Sequence, residues 1–279
     1  MVKRSTSYNV LFILNIITVV VAIYLLYNCM YHKEPFQNNE RYTALIIEPR
    51  KHRAFEFVMN NFLTNLDERW NFMVFHGTEN ELYVKEILTK KFQDQSERIT
   101  TVNLGVPNMT IDEYSALMMS KDFLDKIPTE VFLVFQTDSM ICPNFKENLE
   151  KFIPYDYVGA PWTWKHPPWR APQENPTAED AVGNGGLSLR RKTKMLEILE
   201  KCPILKPEPE DTYFALPCSA VSIRKPSPEL AKEFSMELIF SDNSFGVHKP
   251  WVPWHLGETY TERINDRCDG YKTLVELNK

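Results

Sequence analysis

Apolar residues fall in this chain in two patterns: short unbroken runs, and stretches where they recur every three or four positions. The clearest run is Val131-Phe132-Leu133-Val134-Phe135, which stops at Gln136-Thr137-Asp138. A run of this length without polar interruption predicts a strand covered on both faces. Thr43 to Ile47, Asn71 to Phe75 and Ile99 to Leu104 read as three further strands. Between the first two, Phe55, Val58, Met59, Phe62, Leu63 and Leu66 follow the i, i+3, i+4, i+7 spacing of one helix face. Thr78-x-x-Glu81 and Thr110-x-x-Glu113 have the form of capping boxes. They predict a helix to about Lys90 and another carrying Tyr114, Leu117 and Met118. Strand and helix alternating in this way predict an α/β fold: a mostly parallel central sheet flanked by helices.

Ligands of open α/β sheets sit beyond the carboxyl ends of the strands. Asp138 stands at such an end, where a carboxylate suits a metal ion and equally suits the start of a turn. Neither G-x-x-x-x-G-K-[ST] nor G-x-G-x-x-G is present, so no glycine loop neutralises a diphosphate. A cation held by Asp138 is the natural substitute, with Arg50, just past the first strand, as added charge.

The second half departs from regular alternation. Tyr155 to Trp162 reads as a short strand running into a turn. A loop over 162–182 follows, with Trp162, Trp164 and Trp169 among prolines; it suits either stacking on a sugar or local packing. Gly183-Asn184-Gly185-Gly186 then takes three of the chain's nine glycines, which implies a tight bend or a close approach to the backbone. Leu187 and Leu189 follow as a short strand with Ser188 and Arg190 on its other side, and Met195, Leu196, Ile198 and Leu199 lie on a helix. Glu210 and Asp211 open another helix, where an acid is favoured by the dipole and is also placed to act as a general base. His248 and Lys249 close the polar series.

Val10 to Tyr27 is apolar except for Asn15 and Thr18. Eighteen helical residues reach ~27 Å, close to the bilayer core. The reading is a cytosolic tail (1–9), a retained signal anchor (10–27), a stem (28–42) and one domain (43–279). The anchor makes a lipid bilayer one partner, and Cys29 beside it could join two chains as a homodimer. The sequon Asn108-Met109-Thr110 fits a lumenal domain, and in an oxidising lumen Cys142, Cys202, Cys218 and Cys268 allow three pairings. A formal charge of −5 argues against nucleic acid as the main partner. No C-x-x-C spacing supports a structural zinc site.

Taken in order, FQTDS, YVGAPW, GNGGLSLR, PEDTYF and FGVHKPW resemble a family of GT-A-type glycosyltransferases found in eukaryotes, bacteria and large DNA viruses. The likeness runs over roughly residues 42–256. It implies a nucleotide-sugar donor, of uridine diphosphate type, and a glycan or glycoprotein acceptor. It implies Mn²⁺ or Mg²⁺ held by Asp138 and His248, with Gln136 where the D-x-D motif has its first acid. Asp211, with Glu210 second, matches the acid that supplies the base. Gly185 and Gly186 would shape the donor wall, Arg190 would meet phosphate, and Lys249 would neutralise the leaving diphosphate. Glu48, Arg50, Thr137, Trp162 and Asn184 complete the expected substrate contacts. The membrane of the Golgi or endoplasmic reticulum, in type II orientation, is the implied location. The alternatives are a catalytically silent carbohydrate-binding or scaffold protein on the same fold, and a nucleotide-dependent hydrolase.

Overall fold

Each of the central strands carries apolar side chains on both sides, and the pleat divides them between two cores. In a computed structural model describing residues 40–162, 182–205 and 207–279, β1 (Tyr42–Ile47), β2 (Trp70–His76), β3 (Ile99–Asn103) and β4 (Val131–Phe135) run parallel. Tyr42, Ala44, Ile46, Leu133 and Phe135 face one core, while Leu45, Ile47, Phe132 and Val134 face the other. The period of two along a strand accounts for this division.

Helix α1 (Phe55–Asn65) covers the first face with Phe55, Val58, Met59 and Phe62, as its spacing predicts. Phe62 stacks on Phe135 with centroids 4.0 Å apart. Truncating either ring to Ala would cost about 3–5 kcal/mol. Helix α2 (Glu81–Lys91) adds Val84 and Ile87 to the same core. The second face is covered by α3 (Ile111–Met118), α4 (Lys121–Lys126), α5 (Lys192–Lys201) and α6 (Glu210–Ala215). The Thr110 capping box forms as predicted. The one predicted at Thr78 does not: α2 starts at Glu81, after Asn80. The Asn80 side chain instead ties two loops together, donating to the Glu48 and Arg50 carbonyls at 2.8 and 2.9 Å and accepting from Gly77 N–H at 2.8 Å.

The six-stranded sheet has the order β3-β2-β1-β4-β7-β6, with β7 (Leu187–Arg191) and β6 (Tyr157–Val158) antiparallel to their neighbours. Strands after β1 build outward on one side through β2 and β3, and β4 lies on the other. The chain therefore switches direction between β1 and β4, and their carboxyl ends open a crevice. A second sheet, β5 (Ser139–Ile141), β9 (Gly246–His248) and β8 (Ser235–Met236), stands beside it. The Asn61 side chain docks β5 onto α1: its amide donates to Ile141 O at 3.0 Å and accepts from Ile141 N–H at 2.7 Å.

The chain ends on α7 (Pro228–Ala231), α8 (Thr261–Asn265) and α9 (Tyr271–Asn278). Of the three possible cysteine pairings the structure adopts Cys142–Cys268 and Cys202–Cys218. Among the described residues no helix is long and apolar enough to cross a membrane. The predicted tail, anchor, most of the stem with Cys29, and the loop tryptophans Trp164 and Trp169 lie outside the described residues.

Candidate functional site

The crevice at the β1–β4 switch is a cleft of about 900 Å³. Antiparallel pairing of β5 with β9 places Ser139 opposite His248, and Lys249 N–H donates to the Asp138 carbonyl at 2.9 Å. Residues 110 apart in sequence thus meet: His248 Nε2 lies 3.3 Å from Asp138 Oδ1. Both atoms are buried, and neither they nor His248 Nδ1 on the other side of the ring has a well-aligned hydrogen-bond partner. Burial works against ionisation of Asp138. The His248 ring and Lys249 outweigh it and hold the carboxyl down at about 2. Burial likewise opposes charge on His248, but Asp138 prevails and raises it.

Two ligands adjacent on an octahedral ion stand about 3 Å apart when each bond is ~2.1 Å, so Asp138 and His248 fit Mn²⁺ or Mg²⁺ as a pair. Among the described residues no group of three or more His, Cys, Asp or Glu side chains is arranged to hold a metal. The remaining positions would fall to a substrate diphosphate and water, as is usual for Mg²⁺.

The three-glycine bend forms one wall, and each glycine admits a particular side chain. A Cβ on Gly183 would stand 1.9 Å from the Trp162 ring. On Gly185 it would stand 2.4 Å from Glu210 Oε1 and 3.3 Å from Asp211 Cβ, and on Gly186 2.0 Å from His248 Nε2. Asn184, between them, holds a φ of 113° that few residues tolerate. Its Oδ1 accepts from Gly186 and Leu187 N–H at 2.9 and 3.3 Å, and its Nδ2 donates to Glu237. Asn184 therefore shapes the wall from within, its amide committed to protein partners.

Glu48, at the end of β1, is buried. Its carboxylate accepts from Arg50 Nε and Nη2, both at 2.8 Å, and from Thr137 Oγ at 3.2 Å. Glu48 thereby holds one edge of the exposed Arg50 fork, and Arg50 lines the cleft. The Thr137 carbonyl accepts from Asn278 at 3.0 Å, so α9 braces the loop that presents Asp138. Gln136 lines the cleft beside Tyr114, whose buried hydroxyl is raised by desolvation. Lys249 lines it too, with a φ of 32°.

The two acids of α6 part company. Glu210 is clamped by Arg190, with Nη2 at 3.1 Å from Oε1 and Nη1 on Oε2. Asp211 is partly exposed to the cleft, its Oδ1 accepting from Thr212 N–H at 2.7 Å. Arg190 does not reach the cleft. Its side chain is fully buried, over the Tyr157 and Phe214 rings at 5.0 and 5.9 Å. On β7 it points into the second core, so the expected phosphate contact is replaced by a structural ion pair.

Glu237 is a site residue that the sequence reading missed. It follows β8, is buried, and its Oε1 lies 3.2 Å from His248 Nδ1 and 3.5 Å from His255 Nε2. Burial opposes its ionisation and the His248 ring more than offsets that, lowering its pKa. Its sequence signal is a lone acid inside Met236-Glu237-Leu238-Ile239-Phe240, since buried carboxylates need partners. At the rim stand Trp254, 70% exposed, and the sequon's Asn108.

Among solved structures, a mannosyltransferase from Pyrobaculum calidifontis in complex with GDP-Man and Mn²⁺ superposes with a TM-score of 0.50 at 13% identity, over 92% of this chain and 76% of that one. The galactosyltransferase LgtC, in complex with donor and acceptor sugar analogs, gives 0.50 at 10% identity, over 84% and 94%. At such identities the likeness establishes the fold, that of GT-A-like glycosyltransferases. A search of curated proteins returns no match. Residues 98–248, more than half of the chain, match the family described as "Protein of unknown function (DUF5672)", and the chain belongs to that family.

Proposed function

We propose that this protein is a membrane-anchored glycosyltransferase. It moves a sugar from a nucleoside diphosphate donor, of uridine type, to a hydroxyl of a glycan or glycoprotein in the lumen of the Golgi or endoplasmic reticulum. The observation that carries the proposal is the meeting of Asp138 and His248 at the switch-point crevice, with Asp211 in the same cleft. Mn²⁺ or Mg²⁺ on Asp138 and His248 would supply positive charge against the departing diphosphate, and Lys249 adds a second cation. Gly185 and Gly186 shape the donor wall by letting Glu210 and the His248 ring lie directly against the backbone. Arg50, held by Glu48, meets the nucleoside side of the donor, and Trp162 closes the far wall. Asp211 takes the proton of the acceptor hydroxyl as that oxygen bonds to the sugar. Trp254 offers an exposed indole on which an acceptor ring can stack. The mannosyltransferase complex with GDP-Man and Mn²⁺ supports the donor and ion classes. Two disulfides and the sequon support an oxidising lumen.

Titrating the protein with uridine diphosphate, with and without Mn²⁺, tests this directly, followed by a donor-hydrolysis screen across nucleotide sugars. Metal-dependent binding that disappears in Asp138→Ala is expected. Full activity in that variant would remove Asp138 from its role. Gln136 in place of an acid favours the second reading, a silent carbohydrate-binding protein, which predicts glycan binding without any uridine diphosphate binding.

A further inference from the structure

We propose that Glu237 is a positioning residue that keeps the His248 ring hydrogen on Nδ1, leaving the Nε2 lone pair turned toward Asp138 and the cleft. This rests on the donor-site reading above. A ligating histidine works only through a nitrogen without a hydrogen, and the partner of its other nitrogen decides which one that is.

The ring stands between two carboxylates, with Asp138 Oδ1 3.3 Å from Nε2 on the cleft side, where a cation would compete for the lone pair. Glu237 Oε1 lies 3.2 Å from His248 Nδ1, on the side of the ring away from Asp138. His255 also approaches Oε1, at 3.5 Å through Nε2. Its own Nδ1 lies 3.0 Å from the Lys249 carbonyl, which can only accept. The neutral His255 ring therefore carries its hydrogen on Nδ1 and has none to give Glu237. The other carboxylate oxygen, Oε2, accepts from Asn184 Nδ2. Asn184 cannot turn over, because its Oδ1 is held by the amides of Gly186 and Leu187.

That fixed amide makes a same-shape test possible. In Glu237→Gln the new carbonyl must face the Asn184 NH₂, which puts the glutamine NH₂ against His248 Nδ1. The ring hydrogen is then driven to Nε2, where it blocks ligation. Adding Asn184→Asp in the same chain reverses the polarity. The introduced carboxylate keeps both backbone bonds and accepts from the glutamine NH₂, so the glutamine carbonyl again faces Nδ1. The formal charge returns to that of the wild type.

The experiment uses the full chain with ring-¹⁵N histidine. Ring nitrogen spectra are recorded at pH 9 without metal, and Mn²⁺ binding is titrated in the presence of uridine diphosphate. The expected wild-type hydrogen is on Nδ1. E237Q moves it to Nε2 and weakens Mn²⁺ binding by about 10–100-fold, the usual cost of losing such a partner. N184D/E237Q restores both. A wild-type ring with its hydrogen on Nε2 would overturn the inference, and that measurement stands even where a variant does not fold. So would E237Q binding Mn²⁺ like the wild type, or a double variant that restores folding but neither readout. Absence of Mn²⁺ binding in the wild type would instead sink the donor-site reading, while the ring spectra still decide the role of Glu237.

Discussion

Gly186→Ala is the sharpest test of how the site is built. The added Cβ would stand 2.0 Å from His248 Nε2, 2.3 Å from Cδ2 and 2.4 Å from Cε1. Carbon contacts are favourable at about 3.5–4.0 Å, so the ring must retreat by at least ~1.5 Å. It has nowhere to go. The ring is 3% exposed, its backbone is paired to Ser139 in β5, and Glu237 stands 3.2 Å behind it. Overpacking of this kind costs about 1–3 kcal/mol. For a domain of this size that lowers Tm by roughly 2–12 °C. The functional loss should be larger, because metal–ligand distances vary by only ~0.2 Å.

Removing a ligand's supporting partner costs 10–100-fold in metal affinity, and displacing the ligand itself should cost at least about that. The assay is calorimetric titration of uridine diphosphate with Mn²⁺, paired with thermal denaturation. His248→Ala supplies the control: with no ring to strike, G186A should add little further destabilisation to that variant. Wild-type affinity in G186A would refute the reasoning. So would a double variant that loses as much stability relative to H248A as G186A loses relative to the wild type.

Asp211→Asn should leave Mn²⁺-dependent uridine diphosphate binding unchanged while lowering the transfer rate by about 10²–10⁴-fold, read as kcat falling at constant donor KM. Removing the Cys142–Cys268 pair should cost more than removing Cys202–Cys218. Their sequence separations are 126 and 16, which correspond to about 5 and 3 kcal/mol of loop-closure entropy and are read from urea midpoints of the two double-Ser variants. The Asp138–His248 pair should stabilise the fold within a window of pH. Asp138 is depressed to about 2, so its share is present above the ordinary carboxylate range, near 4, and is lost as pH falls through about 2. His248 is raised, so its share is present below its ordinary value, about 6.5, and is lost as pH climbs through the raised one. The Tm difference between wild type and H248A should therefore peak between about pH 4 and 6.5; a flat profile would contradict the pairing.

The parallel half of the fold was legible because its strands are apolar on both faces and its α1 helix repeats with one period. Those signals depend only on neighbours in sequence, and β1 to β4 match them nearly residue for residue. The Thr78 box failed for a reason sequence cannot show. Asn80 finds better use tying the β1 and β2 loops together, so α2 starts without a side-chain cap. In the site, Asp138, His248 and the glycine bend were readable as motifs. That they meet follows from β5–β9 pairing across more than a hundred residues, which no local pattern encodes.

The charged residues expose the deeper limit. Arg190, Glu210 and Asp211 all read as cleft residues, yet only Asp211 stands outside the buried ion pair. Arg190 stands on β7 beside Tyr157 of β6, and turning into the second core it takes Glu210 with it. A buried bidentate pair of this kind is costly to break from either side, about 3–5 kcal/mol, because the survivor is left charged and desolvated. Arg190 and Glu210 therefore hold the wall against which Gly185 bends, and the acid next in sequence is the one partly exposed to the cleft. Glu237 is the converse case. It sits in an apolar stretch where composition predicts core, and it becomes intelligible only once His248 and Asn184 are seen on either side of its carboxylate. Sequence indicates which residue types can do the chemistry. Which of them face the cleft, and which hold those that do, is set by strand register, where a shift of one position exchanges the two roles.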